Sequence, residues 1–321
     1  MHRSLAIFLA KRFLQAVLLV VFVSSAALLL VRLAPGDHLS SFDTDPAVVA
    51  AERHRLGLDR PFAVQYVEWL GRAVRLDFGE SLKYRRPVTF LVTERAGNTI
   101  LLGTSALVLA TLIGLPLGVI TGSRRAGAFA TIARALSVLV LSVPPLVTSF
   151  ALLLLALTTG WLPVGGIGHT SESGNWLTIV VARARYLVLP TLALALPIAA
   201  SLERLQSRAM QDALEEPCIR AVLGRGLSAE RVIWRHALRM SLAPVVGVFG
   251  AVVGSVLSGS FAVEIIMSWP GLGALMYEAL VDRDLFLAAG CAAAGSVFLA
   301  TGVLAGDVAL AVIDPRVGDT A

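Results

Sequence analysis

DALEEPCIRAVLGRGLSAERVIWRHALRMSLAP, residues 212–244, is a polar helical stretch between two long apolar ones, and its reading decides how the chain is arranged. Glu216 and Pro217 open a short helix, because proline has no N–H to lose and suits a first helical position. Gly224 and Gly226 break it within about two turns. A second helix follows, with Ser228 as its N-cap. On that helix Val232, Ile233, Ala237 and Met240 share one face, while Arg231, Arg235 and Arg239 recur every fourth residue on another. Composition alone leaves two readings of this stretch, a basic loop anchored to anionic lipid headgroups or a surface made for a protein partner.

The flanks settle the class. With 56% hydrophobic and 15% charged residues in 321, the chain is far more apolar than a soluble globule, in which about a quarter of residues are charged. Six charge-free stretches stand out: 13–31, 99–121, 135–160, 186–202, 240–263 and 285–306. The fourth is short for a span of about 20 residues, but Ala184 and the start of the next helix lengthen it. The expected fold is an all-α integral membrane protein with six transmembrane helices. The net charge of +5 sits in loops flanking these stretches, where the positive-inside rule accounts for it, so no nucleic-acid partner is implied.

Arg3, Lys11 and Arg12 precede the first apolar run. A cleaved signal peptide is the competing reading there. The run of 19 residues exceeds a usual signal core and no small-x-small site precedes Arg32, which favours an uncleaved first helix with its amino terminus inside. Arg124, Arg125, Arg204, Arg208, Arg220, Arg225, Arg231, Arg235 and Arg239 then lie on the inner side, with Arg183 and Arg185 as exceptions on the outer side. The division expected is 1–32, cytoplasmic amino terminus and first helix; 33–98, an extracytoplasmic loop with amphipathic helices; 99–316, a core of five transmembrane helices with a cytoplasmic loop at 203–241; and 317–321, a tail. Within the long loop, Asp45-Pro46 caps a helix that Gly57 ends. Asp59 and Pro61 begin another, with Phe62, Tyr66, Trp69 and Ala73 on one side. That stripe is expected to be covered by the membrane face or another subunit.

Within the spans, Gly247, Ala251, Ser255 and Gly259 form one row of small residues and Gly250, Gly254 and Ser258 an adjacent one, candidates for close helix packing or gating. Pro116, Pro144, Pro145, Pro190 and Pro197 interrupt other spans, with Pro144-Pro145 the strongest candidate kink. No catalytic constellation is visible. The five histidines show no metal-ligand spacing, the two cysteines fall in different parts of the chain, and neither Lys11 nor Lys83 completes a Walker A sequence. No catalytic, cofactor or metal site is therefore expected in this chain. Glu203, Glu264 and Asp307 lie at span ends, which disfavours proton coupling.

The order short helix, glycine, amphipathic helix, proline resembles the coupling loop of ABC importer permeases of the dipeptide, oligopeptide and nickel branch. Cys218 to Leu227 occupy the places of that family's loop signature, and RHALR stands at 235–239. Val222, Leu223 and Gly224 stand where the family has Ala, Arg and Ala. LAPGD at 33–37, LGLDRP at 56–61, DFGES at 77–81, RPV at 86–88, SVPP at 142–145, WLPVGGIG at 161–168, VEIIMSWPGLG at 263–273, RD at 283–284 and DPR at 314–316 are similar to further signatures, in order along nearly the whole chain. The resemblance implies a type I importer permease bundle in a bacterial inner membrane, with both termini cytoplasmic. The implied partners are a second homologous permease, two ATPase subunits that bind the ATP, an extracytoplasmic solute-binding protein and membrane lipid. It implies that Glu216, Ile219, Arg220, Ala221, Gly226 and Leu227 couple to an ATPase. The solute would be a dipeptide, a longer peptide, a nickel chelate or a glycoside. An ion-coupled carrier or passive channel needing no ATPase remains the alternative.

Overall fold

The computed structural model describes residues 2–33, 54, 59–123, 127–167 and 176–313. Among them the regular structure is helical, apart from an isolated bridge between Glu80 and Pro87. The helices are α1 (His2–Leu33), α2 (Phe62–Ala73), α3 (Val88–Gly122), α4 (Ala128–Ser142), α5 (Pro145–Thr159), α6 (Trp176–Glu215), α7 (Pro217–Gly224), α8 (Ala229–Arg231), a π-helical segment (Val232–Ala237), α9 (Leu238–Gly247), α10 (Phe249–Ile266), α11 (Leu272–Val281) and α12 (Leu285–Ile313). Five of these are long and apolar enough to cross a membrane, and α4 with α5 makes a sixth crossing if the bent pair is one span. The expected helix ahead of Gly57 and the DPR at 314–316 fall outside the described residues.

Two expected spans are broken. The third bends by 104° between α4 and α5, at the foreseen kink. Val143, preceding a proline, is pushed into extended backbone (φ −96, ψ 125), and Pro145 restarts the helix at its first turn. The fifth is interrupted at Val248 (φ −98, ψ 2), beside Gly247, so that only Phe249–Ile266 is a continuous spanning helix.

The chain forms two compact units. One comprises Phe13–Thr99 and Pro270–Phe298. In it the stripe of α2 is covered by the chain itself rather than by a lipid face or another subunit. Trp69 is 1% exposed, stacked beside Tyr66, within a cluster that includes Leu28 and Val31 of α1, Val88 and Leu91 of α3, and Phe286 and Leu287 of α12. Two stretches far apart in sequence, DFGES and RD, meet here. Buried Asp284 accepts hydrogen bonds from Ser81 Oγ at 2.6 Å, the Lys83 amide at 3.1 Å and the Leu287 amide at 3.1 Å, the last capping α12. Above it Lys83 Nζ lies 2.7 Å from Asp282 Oδ2 and 3.6 Å from Glu278 Oε2, and Tyr84 Oη donates to Glu278.

Three helices end without the glycine that a left-handed C-terminal residue favours. Leu76 after α2, Ser268 after α10 and Arg283 after α11 have φ of 60°, 52° and 56°. The following amides of Asp77, Trp269 and Asp284 turn back to the carbonyls of Arg72, Glu264 and Ala279, closing the last turn in each case. Each left-handed non-glycine residue costs about 1 kcal/mol, offset where the next side chain is buried, as Trp269 and Asp284 are.

The other unit comprises Met1–Arg12, Ile100–Trp269 and Leu299–Ala321. Its centre is α6, which packs against α4, α5, α9 and α10. A close backbone approach joins α6 and α3, through a row of small residues that the sequence reading passed over. A Cβ at Gly114 would lie 2.6 Å from the Ala199 carbonyl oxygen, one at Gly118 would lie 2.6 Å from Gln206 Cβ and 2.7 Å from the Glu203 carbonyl oxygen, and one at Gly122 would strike the Ser207 carbonyl oxygen. Of the rows singled out, that of Gly250 also meets a neighbouring helix closely, since a Cβ at Gly306 of α12 would lie 2.8 Å from the Gly250 amide nitrogen. Gly250 and Gly254 face Val303 and Leu299 of α12, and Gly259 faces Leu194. Gly247, Ala251 and Ser255 are exposed.

The α3–α6 contact buries polar groups. Thr121 Oγ1 donates to Glu203 Oε1, and Gln206 Nε2 donates to Ser241 Oγ of α9 at 2.8 Å. Glu203 is only 1% exposed. It lies within a helix that continues unbroken to Glu215. Glu264 is likewise buried.

Two outcomes follow from these contacts. Gly118→Val should destabilise the purified protein by about 3 kcal/mol or prevent its folding, since backbone cannot yield as a flexible side chain does. Gly97→Ala, where a Cβ meets nothing within 4 Å, should leave the melting temperature unchanged or slightly raised. In the other unit, the hydrogen bond to Asp282 raises the Lys83 pKa against the opposing effect of burial, and burial with the Glu278 hydrogen bond raises that of Tyr84. Both folded values exceed the unfolded ones. Their stabilisation is therefore complete below about pH 10 and is lost as pH rises through the folded values. Thermal melts from pH 7 to 11 should show an alkaline decline that Lys83→Met flattens.

Candidate coupling site

The stretch that opened the sequence reading folds as a short helix lying on a longer one. Glu216 is extended (φ −61, ψ 136) and precedes Pro217 at the first position of α7. After Arg225 the backbone turns through Gly226 at φ +83, a conformation that costs an L side chain about 1–2 kcal/mol. Nothing lies within 4 Å of a Cβ built there, so the backbone, and not a tight fit, calls for glycine. Ser228 and Ala229 then begin α8, which runs through the π-helical segment into α9.

What fixes α7 is one apolar patch. Ile219 is 3% exposed and packs in a cluster with Val119 of α3, Met210 and Ala213 of α6, and Val232, Ile233 and Ala237 of the π-helical segment. Val222 and Leu227 close its edge, half-buried. A helix of eight residues is too short to hold its own fold in water, so this cluster is its support.

The six residues expected to couple therefore divide. Ile219 and Leu227 face inward and hold the element in place. Glu216, Arg220, Ala221 and Gly226 are exposed and form the outward surface. Val232, Ile233 and Ala237 share the buried face, as their spacing predicts, but Met240 does not: it is 40% exposed and Ser241 takes the buried position. The π-helical segment is the reason. Its wider turn shifts the register beyond Ala237, which strict 3.6-residue periodicity cannot anticipate.

Sequence reasoning also missed a groove beside α7. A cavity of ≈ 350 Å³ is lined by Cys218, Val222, Arg235, His236, Arg239 and Met240. Cys218 Sγ lies 3.8 Å from Met240 Sδ. The arginines were read from their spacing, but the cavity exists only because α7 folds back on the π-helical segment. Among the described residues no group of three or more His, Cys, Asp or Glu is placed to hold a metal ion. The arrangement offers a shaped, positively charged surface.

A bundle of membrane-length helices carrying a small, supported, basic helical projection defines a subunit of a membrane transporter. The chain belongs to the family of binding-protein-dependent transport system inner membrane components, the permeases of ABC importers: residues 114–319 match that family's profile, and residues 5–102 match the profile of its amino-terminal region. The oligopeptide transport system permease protein AppB of Bacillus subtilis (strain 168) is 31% identical over 319 residues, covering 98% of this chain and 99% of its own. The oligopeptide transport system permease proteins OppB of Mycobacterium bovis and Mycobacterium tuberculosis are each 33% identical over 322 residues, covering 97% of this chain and 98% of their own.

Ile219→Ala should cost about 2–4 kcal/mol, felt locally. Hydrogen exchange at amides 217–224 should accelerate at least tenfold while exchange in α6 is unchanged. Equal acceleration in both would mean that the cluster supports the whole unit and not α7 alone.

Proposed function

We propose that this chain is one of two permease subunits of an ATP-driven importer of peptides, and that α7 is the element through which ATPase subunits move it. The observation that carries the reading is the division within α7: Ile219 fixed in an apolar cluster, and Glu216, Arg220 and Ala221 presented outward on a helix that turns back at Gly226. A projection so held transmits force to α6, because its support rests on Met210 and Ala213 of that helix. The oligopeptide permeases similar along nearly the full chain supply the solute class.

In this reading the polar side carrying α7 faces the cytoplasm, together with both termini. ATP is bound by two partner ATPases, a second permease completes the pathway, and an extracytoplasmic binding protein delivers the peptide. ATPase closure shifts α7, and with it α6, only to the extent that the ATPases bind one arrangement of the permease more tightly than the other.

Affinity purification of the tagged chain from native membranes in mild detergent, with mass spectrometry of its companions, tests the assembly. A second permease and P-loop ATPases are expected; recovery of this chain alone after mild crosslinking would overturn the reading. Arg220→Glu should reduce ATP-driven peptide uptake by at least tenfold with normal insertion and expression. Unchanged uptake by that variant would remove α7's exposed face from the coupling.

A further inference from the structure

The two helices that flank the α3–α6 contact carry a second basic site, separate from the groove beside α7. A cavity of ≈ 260 Å³ opens between α4 and α6, with Arg134 and Val138 on one wall and Glu203, Arg204, Ser207 and Arg208 on the other. Arg134 Nη2 donates to the Thr121 carbonyl at 2.8 Å, which fixes its guanidinium at the mouth. Arg204 and Arg208, one helical turn apart, make no ion pair among the described residues. The one carboxylate in the wall is buried, with Oε1 taken by Thr121 and Oε2 without a partner. Three guanidinium groups thus converge on one cavity that holds a single opposing charge.

The level of the cavity along the helices selects the ligand. Arg134 is the one charged residue of α4, which is otherwise largely apolar on both sides of it. Glu203 and Arg204 are the first charges of α6 after the apolar run 186–202. Thus α6 changes from apolar to polar at the cavity, and α4 places its one charge at the same level. Below the arginines, the outer surface of α4 is apolar and exposed: Leu136 is 58% and Leu139 61% exposed, and Val138 lines the cavity itself. Clustered positive charge directly above an exposed apolar surface matches a molecule with an anionic head and hydrocarbon tails.

We propose that this cavity is a binding site for the phosphate headgroup of an anionic phospholipid, held by Arg134, Arg204 and Arg208, with its acyl chains along Val138, Leu136 and Leu139. Arg204 and Arg208 supply the charge. Arg134, tied to the end of α3, makes the bound lipid a bridge between α4 and the α3–α6 pair. A soluble phosphate would satisfy the same arginines but would leave the apolar wall uncovered.

The test uses the intact transporter assembly, purified from nanodiscs containing equal phosphatidylglycerol and phosphatidylcholine, with retained lipid counted by native mass spectrometry. The wild type should retain phosphatidylglycerol selectively. Arg204→Gln with Arg208→Gln should weaken that retention by about thirtyfold, about 1 kcal/mol for each charge removed at a membrane surface. Arg204→Lys with Arg208→Lys should restore most of it, which separates charge from folding. Millimolar inorganic phosphate or glycerol phosphate should displace little of the lipid; full displacement would assign the site to a soluble phosphate instead. A photoactivatable phosphatidylglycerol should label wild-type peptides containing Val138 or Ser207. Equal phosphatidylglycerol retention by wild type and the glutamine variant, or labelling confined to other helices, would overturn the proposal.

Discussion

Close backbone contact between α3 and α6 is the constraint on which the larger unit depends. Inside lipid no hydrophobic effect drives helices together, so association relies on packing and on the few hydrogen bonds that close approach permits. Gly114, Gly118 and Gly122 bring the α3 backbone against the carbonyls of Ala199, Glu203 and Ser207. That approach places Thr121 on Glu203 and leaves the far side of α6 free to pack with α4, α5, α9 and α10. A side chain at any of these glycines would hold the helices apart and strand the buried carboxylate.

The candidate coupling site inherits its position from this contact. Val119, one residue beyond Gly118, and Met210, three turns after the Ala199 contact, form the floor on which Ile219 sits. The short helix is thus packed against both helices at once. The inward face is taken by Ile219 and Val222, so Arg220 and Ala221 point outward and are exposed.

The same logic explains why some motifs are legible and others are not. Pro144-Pro145 was readable as a kink because proline constrains its neighbour and its own φ wherever it occurs. Gly226 was readable as a turn for a similarly local reason. The left-handed helix ends at Leu76, Ser268 and Arg283 carry no such mark; at Ser268 and Arg283 what stabilises them is the burial of the residue that follows. The meeting of DFGES and RD is equally silent in one dimension: Ser81 and Asp284 each look like surface polar residues until they are 2.6 Å apart.

The sequence by itself determined that the chain spans a membrane, that it is helical, where its polar projection lies and that this projection is a short helix turned by a glycine. These follow from hydropathy, proline and glycine, whose effects act over a few residues. Only the tertiary structure decided that Gly114, Gly118 and Gly122 make a close contact, that Glu203 is buried between helices, that Met240 turns outward past a π-helical segment, and that three arginines from two helices share one cavity. Those outcomes depend on which faces of distant helices meet, and the hydrophobic pattern of a membrane helix, apolar on every side, carries almost no information about that.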